Sequence, residues 1–333
     1  MVINQNSTTE VIFQNPNLAT SQKSKNEKYK CIFGEFETQI YWGNLTAMIV
    51  IHFIAFYALF KWSLDLKLKP FIYNFVLLVL GGFGITGGAH RYFTHRCYKA
   101  TLPLKLILLL CYSISGQNNL LNWVRDHRVH HKYSETNADP HNANRGFLFA
   151  HCGWLCMKKH PEVIRKGKQV DVSDITLDPL LAFHIRHWVW FKLFFCYILP
   201  PTLESWLFSQ PFIVCMGHNV VRYILNLHAT WSVNSVAHIW GNKPYNKHIQ
   251  PTENPFVSFI AMGEGWHNYH HTFPCDYRTS ELGTNLNWTA SFIDVFAKIG
   301  WAYELKTTVP DLVKSIAKNK GDGTYNFNDT TMK

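Results

Sequence analysis

Two uncharged stretches dominate the hydrophobic pattern. No Asp, Glu, Lys or Arg occurs from Thr38 to Phe60, 23 residues interrupted only by His52, or across the 19 residues from Phe71 to Ala89. Roughly 20 apolar residues rising about 1.5 Å each cross a hydrocarbon core of about 30 Å, so each stretch is long enough to span a bilayer as a helix. By length alone both also fit buried core helices. The apolar, aromatic segments WVWFKLFFCYILPPTLESWLF (188–208) and PFIVCMGHNVVRYILNLHATW (211–231) predict a second helical hairpin. Its Lys192, Glu204 and Arg222 are expected near the helix ends or facing protein. LPLKLILLLCYSISG (102–116) is too short to span and reads as a helix in the interface or beneath the spans. The polar opening MVINQNSTTE predicts no signal peptide.

Charge adds an orientation. The formal net charge is +10, yet no nucleic-acid motif accompanies it, and the lysines gather beside the spans. KSKNEKYK (23–30) precedes the first stretch, and Arg91, Arg96, Lys99 and Lys105 follow the second. Both flanks therefore claim the cytoplasmic side, although the loop KWSLDLKLK (61–69) also holds three lysines. Anionic lipid or an acidic partner suits this balance better than nucleic acid. The eight cysteines form no CxxC pair, which predicts reduced thiols facing the cytosol.

Eighteen histidines are many for this length, and their spacing carries the chemistry. HRVHH (127–131) and HNYHH (267–271) each place histidines at i, i+3 and i+4. On a helix, i+3 and i+4 lie about 60° to one side and about 40° to the other of i. The three rings share a face, while the last two diverge, so one helix can serve two metal ions. His90 and His95 lie about 140° apart on an ideal helix, so they converge only if the helix ends or distorts, or else they serve different ions. Gly87 and Gly88 make a local irregularity credible. A solvated polar face is the plain alternative for one such box, less so for several bordering apolar segments. No CxxC, HExxH or Glu-x-x-His bundle pattern is present. Neutral nitrogen donors favour iron, copper or zinc over magnesium or calcium, and two irons suit redox chemistry.

The boxes, in this order between hydrophobic hairpins, resemble the membrane fatty-acyl-CoA desaturases of the stearoyl-CoA desaturase group. The resemblance runs from about Tyr41 to Tyr325, through GITGGAHRYFTHRCYKA, NWVRDHRVHHKYSETNADPHN, TWSVNSVAHIWGNKPY, GEGWHNYHHTFPCDYR and GDGTYN, and is closest in look to insect members. It implies an all-α integral membrane protein with four spans in two hairpins (about 38–60, 70–90, 188–208 and 211–233), capped by a cytosolic helical domain holding a di-iron site. A desaturase domain over 38–325 would lie between tails 1–37 and 326–333, with both termini cytosolic at the endoplasmic reticulum membrane. Carried over by position, His90, His95, His127, His130, His131, His238, His267, His270 and His271 become iron ligands, and Asn234 holds a metal-bound water. Asn44, Gln117, Asn118, Arg125, Asp126, Lys158, Lys159 and Trp231 fall where the family grips acyl-CoA. Asp126 and Glu264 are expected to orient ligand imidazoles, and the other nine histidines, His52, His141 and His151 among them, to be structural. Asn74 and Leu78 are expected at the far end of the acyl tunnel. HRYFTH departs from the family's usual HRLWSH or HRLWAH, placing Tyr92 and Phe93 where selectivity is open.

The activity implied is O2-dependent desaturation of a saturated long-chain acyl-CoA, at carbon 9 or 11, with electrons from cytochrome b5 and its NADH-dependent reductase. Position 9 would make a housekeeping enzyme; another position suggests lipid signals such as pheromone precursors. Two rivals stay open: a di-iron acyl hydroxylase, and a membrane metal transporter. Transporters bind at mid-membrane in broken helices, whereas these boxes border span ends.

Overall fold

The computed structural model describes residues 29–31, 34–36, 38–62, 67–282 and 286–327. The expected tails 1–37 and 326–333 lie largely outside these residues. The chain divides into two units, 1–39 and 40–333. Of the first, the described part is an antiparallel hairpin, β1 (Tyr29–Cys31) with β2 (Gly34–Phe36).

The second unit is helical. α1 (Trp42–Trp62) is followed by α2 (Leu68–Phe83), which continues without a break as a π-helix over Gly84–Thr94. Then come α3 (Leu102–Ser115), α4 (Leu120–Tyr133), α5 (Phe147–His151), α6 (Pro161–Gly167) and α7 (Ser173–Thr176). α8 (Pro179–Lys192) runs through a π turn at Leu193–Ile198 into α9 (Leu199–Phe208), and α10 (Phe212–Ile239) returns. α11 (Pro255–Ile260), α12 (His267–Thr272), α13 (Trp288–Lys298) and α14 (Pro310–Lys320) complete the cap. A two-residue ladder pairs β3 (Lys99–Ala100) with β4 (Ala302–Tyr303).

Among the described residues, two helices are long and apolar enough to cross a membrane: Trp42–Lys61, mean hydropathy 1.8, and Leu68–Thr94, mean hydropathy 1.6. α1 turns Phe53, Phe56 and Phe60 outward at 70%, 71% and 80% exposure, a surface suited to lipid rather than water. The expected second hairpin forms as helices, but its polar content keeps it below that apolar standard. Glu204 and Arg222 face protein. Fully buried Glu204 accepts from Asn74 Nδ2 at 2.9 Å and pairs with His218 Nδ1 at 2.6 Å. Arg222 donates to Asn219 Oδ1 (3.0 Å), Ile114 O (3.3 Å) and Cys196 O (3.4 Å). A buried ionic group is tolerated when its hydrogen bonds are met this way.

α10 lies along α1, α2 and α9, while α3 packs against α2 and its π-helical extension. α3 buries Leu104, Leu108 and Tyr112 in the core and exposes Leu102, Leu106 and Leu110, as a helix tucked beneath the spans does. The α2–α3 approach is close enough to demand glycine. A Cβ at Gly84 would stand 2.2 Å from the backbone of Cys111 and Tyr112.

Candidate metal centre

The π-helix answers the five-residue spacing of the first box. An i→i+5 bond brings residues five apart onto one turn. Here His95 N donates to His90 O at 3.1 Å, and Thr94 Oγ1 donates to Ala89 O at 2.7 Å. The two rings meet with centroids 4.9 Å apart. α4 starts where Asn119 Oδ1 accepts from Leu121 N at 3.0 Å, and it carries the second box. α12, with the third, is only six residues long and too short to stand by its own hydrogen bonds. Tertiary polar bonds fix it instead. Glu253 Oε1 accepts from Tyr269 N at 2.7 Å, and buried Asn268 accepts from Tyr245 N and Asn246 N at 2.9 and 3.0 Å.

Nine histidines come together in two groups whose ligand atoms lie within 4.8 Å of one another. One joins His90, His95, His127, His131 and His270; the other joins His130, His238, His267 and His271. α4 gives its i, i+4 pair to the first group and its i+3 histidine to the second. α12 does the reverse. Each of the two helices thus divides its histidines between the two groups, with one crossing histidine apiece.

The nitrogens converge as ligands do. Nε2–Nε2 separations are 2.9 Å for His90–His270, 3.1 Å for His95–His127, 3.0 Å for His131–His270, 3.0 Å for His238–His267 and 3.1 Å for His267–His271. With metal–nitrogen bonds of about 2.1 Å, neighbouring ligands at right angles stand about 3.0 Å apart. His130 Nε2 is buried without a protein partner. Burial first, then neighbouring imidazoles, hold His127, His131, His270 and His271 well below the ordinary histidine pKa, so they stay neutral as metal ligands require. The donor set fits two metal ions of the nitrogen-preferring kind.

Carboxylates orient the rings from behind. Glu264 Oε2 lies 2.8 Å from His90 Nδ1, while its other oxygen takes Arg91 Nε and Nη2 at 3.0 and 2.9 Å. Burial opposes ionisation of Glu264, but Arg91 and His90 outweigh it and hold the carboxyl below its usual range. Asp139 Oδ1 meets His130 Nδ1 at 2.9 Å, and Glu135 Oε1 meets His238 Nδ1 at 2.6 Å. Glu135 adopts φ +57°, steadied by its N–H donating to Asp139 Oδ2 at 2.9 Å. The expectation for Glu264 is met. Asp126 instead pairs with Lys159, which takes it away from the imidazoles. Sequence reasoning misses Asp139 and Glu135 because they lie in the irregular stretch after α4, where no period points at a ring.

Two cavities meet at the histidines. One, of about 330 Å³, is lined by Asn44, Gln117, Asn118, Asp126 and Trp231 among others; the second, of about 440 Å³, is largely apolar and includes Leu78, Gly82, Thr86 and Met262. They share Trp123, His127, Thr230 and Asn234. At this waist Gln117 Nε2 donates to Thr230 Oγ1 at 2.7 Å and Trp123 Nε1 donates to Gln117 Oε1 at 3.1 Å. Asn234 stands one helical turn before His238. Lys159 stands at the rim through Asp126, Arg125 bonds Asn122 at 2.7 Å, and Lys158 is exposed; these three do not line the cavity. Leu78 lines the apolar cavity, while Asn74 is turned to Glu204. Tyr92 and Phe93 line neither; they face a separate charged cavity with Arg96, Lys99 and Lys105, so the departure in the first box points away from the centre. Of the histidines expected to be structural, His141 sits 3.5 Å from Asp139, while His52, His228 and His151 form a hydrogen-bonded row that ties α1, α10 and α5.

Comparison with known proteins places this geometry. The chain matches the fatty acid desaturase family over residues 68–290. It is 44% identical over 292 residues to the Acyl-CoA Delta-9 desaturase of Acheta domesticus, covering 87% of this chain and 81% of the relative. To the Acyl-CoA Delta(11) desaturase of Trichoplusia ni it is 46% identical over 302 residues, covering 90% and 84%. To the Delta(9)-fatty-acid desaturase fat-6 of Caenorhabditis elegans it is 43% identical over 287 residues, covering 86% of this chain and 85% of the relative. The chain belongs to the fatty acid desaturase family.

Proposed function

We propose that this protein is an acyl-CoA desaturase that introduces a double bond at carbon 9 or 11 of a saturated long-chain acyl-CoA, using two irons and O2. One observation carries the reading: nine histidines converge in two groups, and one of them, His127, stands where a cavity walled in part by Asn44, Gln117, Asn118 and Asp126 meets a largely apolar one. The names of the relatives support the substrate and the reaction, and Delta-9 and Delta(11) relatives at 44% and 46% identity leave both positions in play.

His90, His95, His127, His131 and His270 would hold one iron, and His130, His238, His267 and His271 the other, with Asn234 beside the second through a water. When bound, the irons supply O2 activation and removal of hydrogen from the acyl chain. Reducing O2 to two waters takes four electrons: two leave with the substrate's hydrogens and two come from outside. The chain's residues position the substrate. The amides of Asn44, Gln117 and Asn118 face the thioester end, and Arg125, Lys158 and Lys159 offer cations at the rim. The Thr230–Gln117–Trp123 bridge forms the waist beside His127, and the apolar cavity takes the tail and excludes water. The carboxylates of Glu264, Asp139 and Glu135 hold His90, His130 and His238 with Nε2 turned to the centre.

The outside electrons fit cytochrome b5 and its NADH-dependent reductase, whose acidic face would complement a chain of formal net charge +10. The reading includes four spans, both termini cytosolic, in the endoplasmic reticulum membrane. Expression in a desaturase-deficient yeast, with derivatised fatty acids located by mass spectrometry, tests it. A new double bond at position 9 or 11, lost in His130→Ala, is expected. A hydroxylated acyl chain as main product would transfer the enzyme to the hydroxylases.

A further inference from the structure

Behind the first box, one guanidinium joins three segments of the chain. Arg128 lies on α4 between the ligand positions His127 and His130, with its side chain 13% exposed. Its Nε donates to Thr94 O at 3.2 Å and its Nη2 to Phe93 O at 2.8 Å. These carbonyls belong to the last turn of the π-helix, which has no following turn to bond them. A cation there also meets the negative end of the helix dipole. Asp174 holds the same guanidinium. Arg128 Nη1 and Nη2 donate to its Oδ1 and Oδ2 at 2.9 and 2.8 Å, a bidentate pairing, and Nη1 also donates to Asp171 O at 2.7 Å. Asp174 takes Arg96 as well, with Nε and Nη2 each at 2.8 Å. Arg96 directly follows His95 and has φ +53°, the left-handed residue at which the chain leaves the helix. Burial opposes ionisation of Asp174, yet the two guanidiniums hold its carboxyl down at about 2, so the brace is charged at neutral pH.

This placement bears on His95. An α-helix sets residues five apart about 140° from each other, and the wider π turn is what brings His95 beside His90. The π turn is the rarer conformation, so contacts from outside the helix have to sustain it to its end. Arg128 supplies them from the helix that carries His127, whose Nε2 lies 3.1 Å from His95 Nε2. Two consecutive residues of α4 thus meet the first box, one at the ring of His95 and one at the backbone that presents it. The four-histidine group takes no ligand from the π-helix or its cap.

We propose that Arg128, braced by Asp174, is a positioning residue that pins the last turn of the π-helix so that His95 completes the five-histidine group. The inference rests on the two-metal reading above and deepens it by naming what keeps one ligand in reach. Arg128 acts through His95, not on the substrate.

The test reads metal affinity group by group, on the full chain in lipid nanodiscs, with Fe2+ as the probe under graded chelator without oxygen. Arg128→Met is placed in two backgrounds. His130→Ala leaves the five-histidine group whole, and His270→Ala leaves the four-histidine group whole. Losing the support behind a ligand weakens metal binding by about 10–100-fold. Arg128→Met should show that loss with His130→Ala and leave Fe2+ affinity unchanged with His270→Ala. A general loosening of α4, which carries ligands of both groups, would weaken both backgrounds alike. Equal losses in the two backgrounds, or no loss with His130→Ala, overturn the inference. Asp174→Asn lies off the ligand-bearing helices, removes the charge of the brace and keeps one oxygen. It should give a smaller loss, again with His130→Ala alone. If Arg128→Met does not fold, Asp174→Asn decides by the same rule: a loss confined to the five-histidine group supports the clamp, and equal losses or none overturn it. Failure of the desaturase reading looks different, since wild type would then hold no Fe2+ or form no unsaturated product.

Discussion

The two histidine groups share one helical rule and differ in what stands behind it. Around the five-histidine group, the supporting carboxylate of Glu264 is matched by buried Arg91, whose remaining donors go to Tyr277 O, Arg278 O and Asn287 Oδ1. Around the four-histidine group, Asp139 and Glu135 face imidazoles rather than a guanidinium. The first group therefore sits in a nearly neutral setting and the second in an anionic one. The first is tied into the fold through Arg91; the second depends on carboxylates in the segment after α4. Carboxylates should matter for stability at one group and for metal affinity at the other.

The largest effect is expected from the crossing histidines. His130→Ala and His270→Ala each remove a ligand from the group opposite to their helix partners. Each should lower desaturation at least about a hundredfold and leave about one tightly held metal per chain by elemental analysis. Two tightly held metals in both variants would break the division into five and four. Next come the carboxylates. Glu264→Gln strands Arg91, and losing one partner of a buried ion pair costs about 3–5 kcal/mol, read as a fall in unfolding temperature. The double variant Glu264→Gln with Arg91→Met should not recover stability, because Tyr277 O, Arg278 O and Asn287 Oδ1 then lose their donor. Asp139→Asn keeps one oxygen for the N–H groups of Glu135 and His141, so it should lower the unfolding temperature less than Glu264→Gln while weakening metal at the four-histidine group by about 10–100-fold. Equal thermal losses in Glu264→Gln and Asp139→Asn would erase the contrast.

The smallest effect concerns pH. Burial and mutual repulsion depress His127, His131, His270 and His271 below the ordinary value of 6.5. A depressed base favours the fold above its unfolded pKa. As pH falls through 6.5, the unfolded chain takes up protons that the folded site refuses. Stability of metal-stripped protein should therefore fall from pH 6.5 downward, as read by denaturant midpoints. Metal-loaded protein should fall at least as steeply over the same range, because the ions keep these rings neutral in the fold while the unfolded chain still takes up protons.

The sequence exposes this site unevenly, for physical reasons. The i, i+3, i+4 boxes on α4 and α12 are periodic, and period reveals which rings share a face. The His90–His95 pair is hidden by an ideal-helix assumption, since only a π-helix puts residues five apart on one turn. His238 has no periodic partner and comes from the resemblance alone. Asp139 and Glu135 act from an irregular segment, and Tyr92 with Phe93 face away from the centre despite lying between two ligand positions. The first two spans are visible because nothing polar interrupts them. The second hairpin is blurred by Glu204 and Arg222, whose satisfaction draws on contacts from other helices.

The two histidine groups are proposed to hold two irons in unequal surroundings. The most direct measurement is the metal content of purified wild type and Asp139→Asn after dialysis against a graded chelator, with desaturation assayed on the same samples. Two irons per chain in wild type are predicted, with one released at lower chelator concentration in Asp139→Asn and activity lost along with it. Full desaturation by a chain retaining a single iron, or none, would contradict the account.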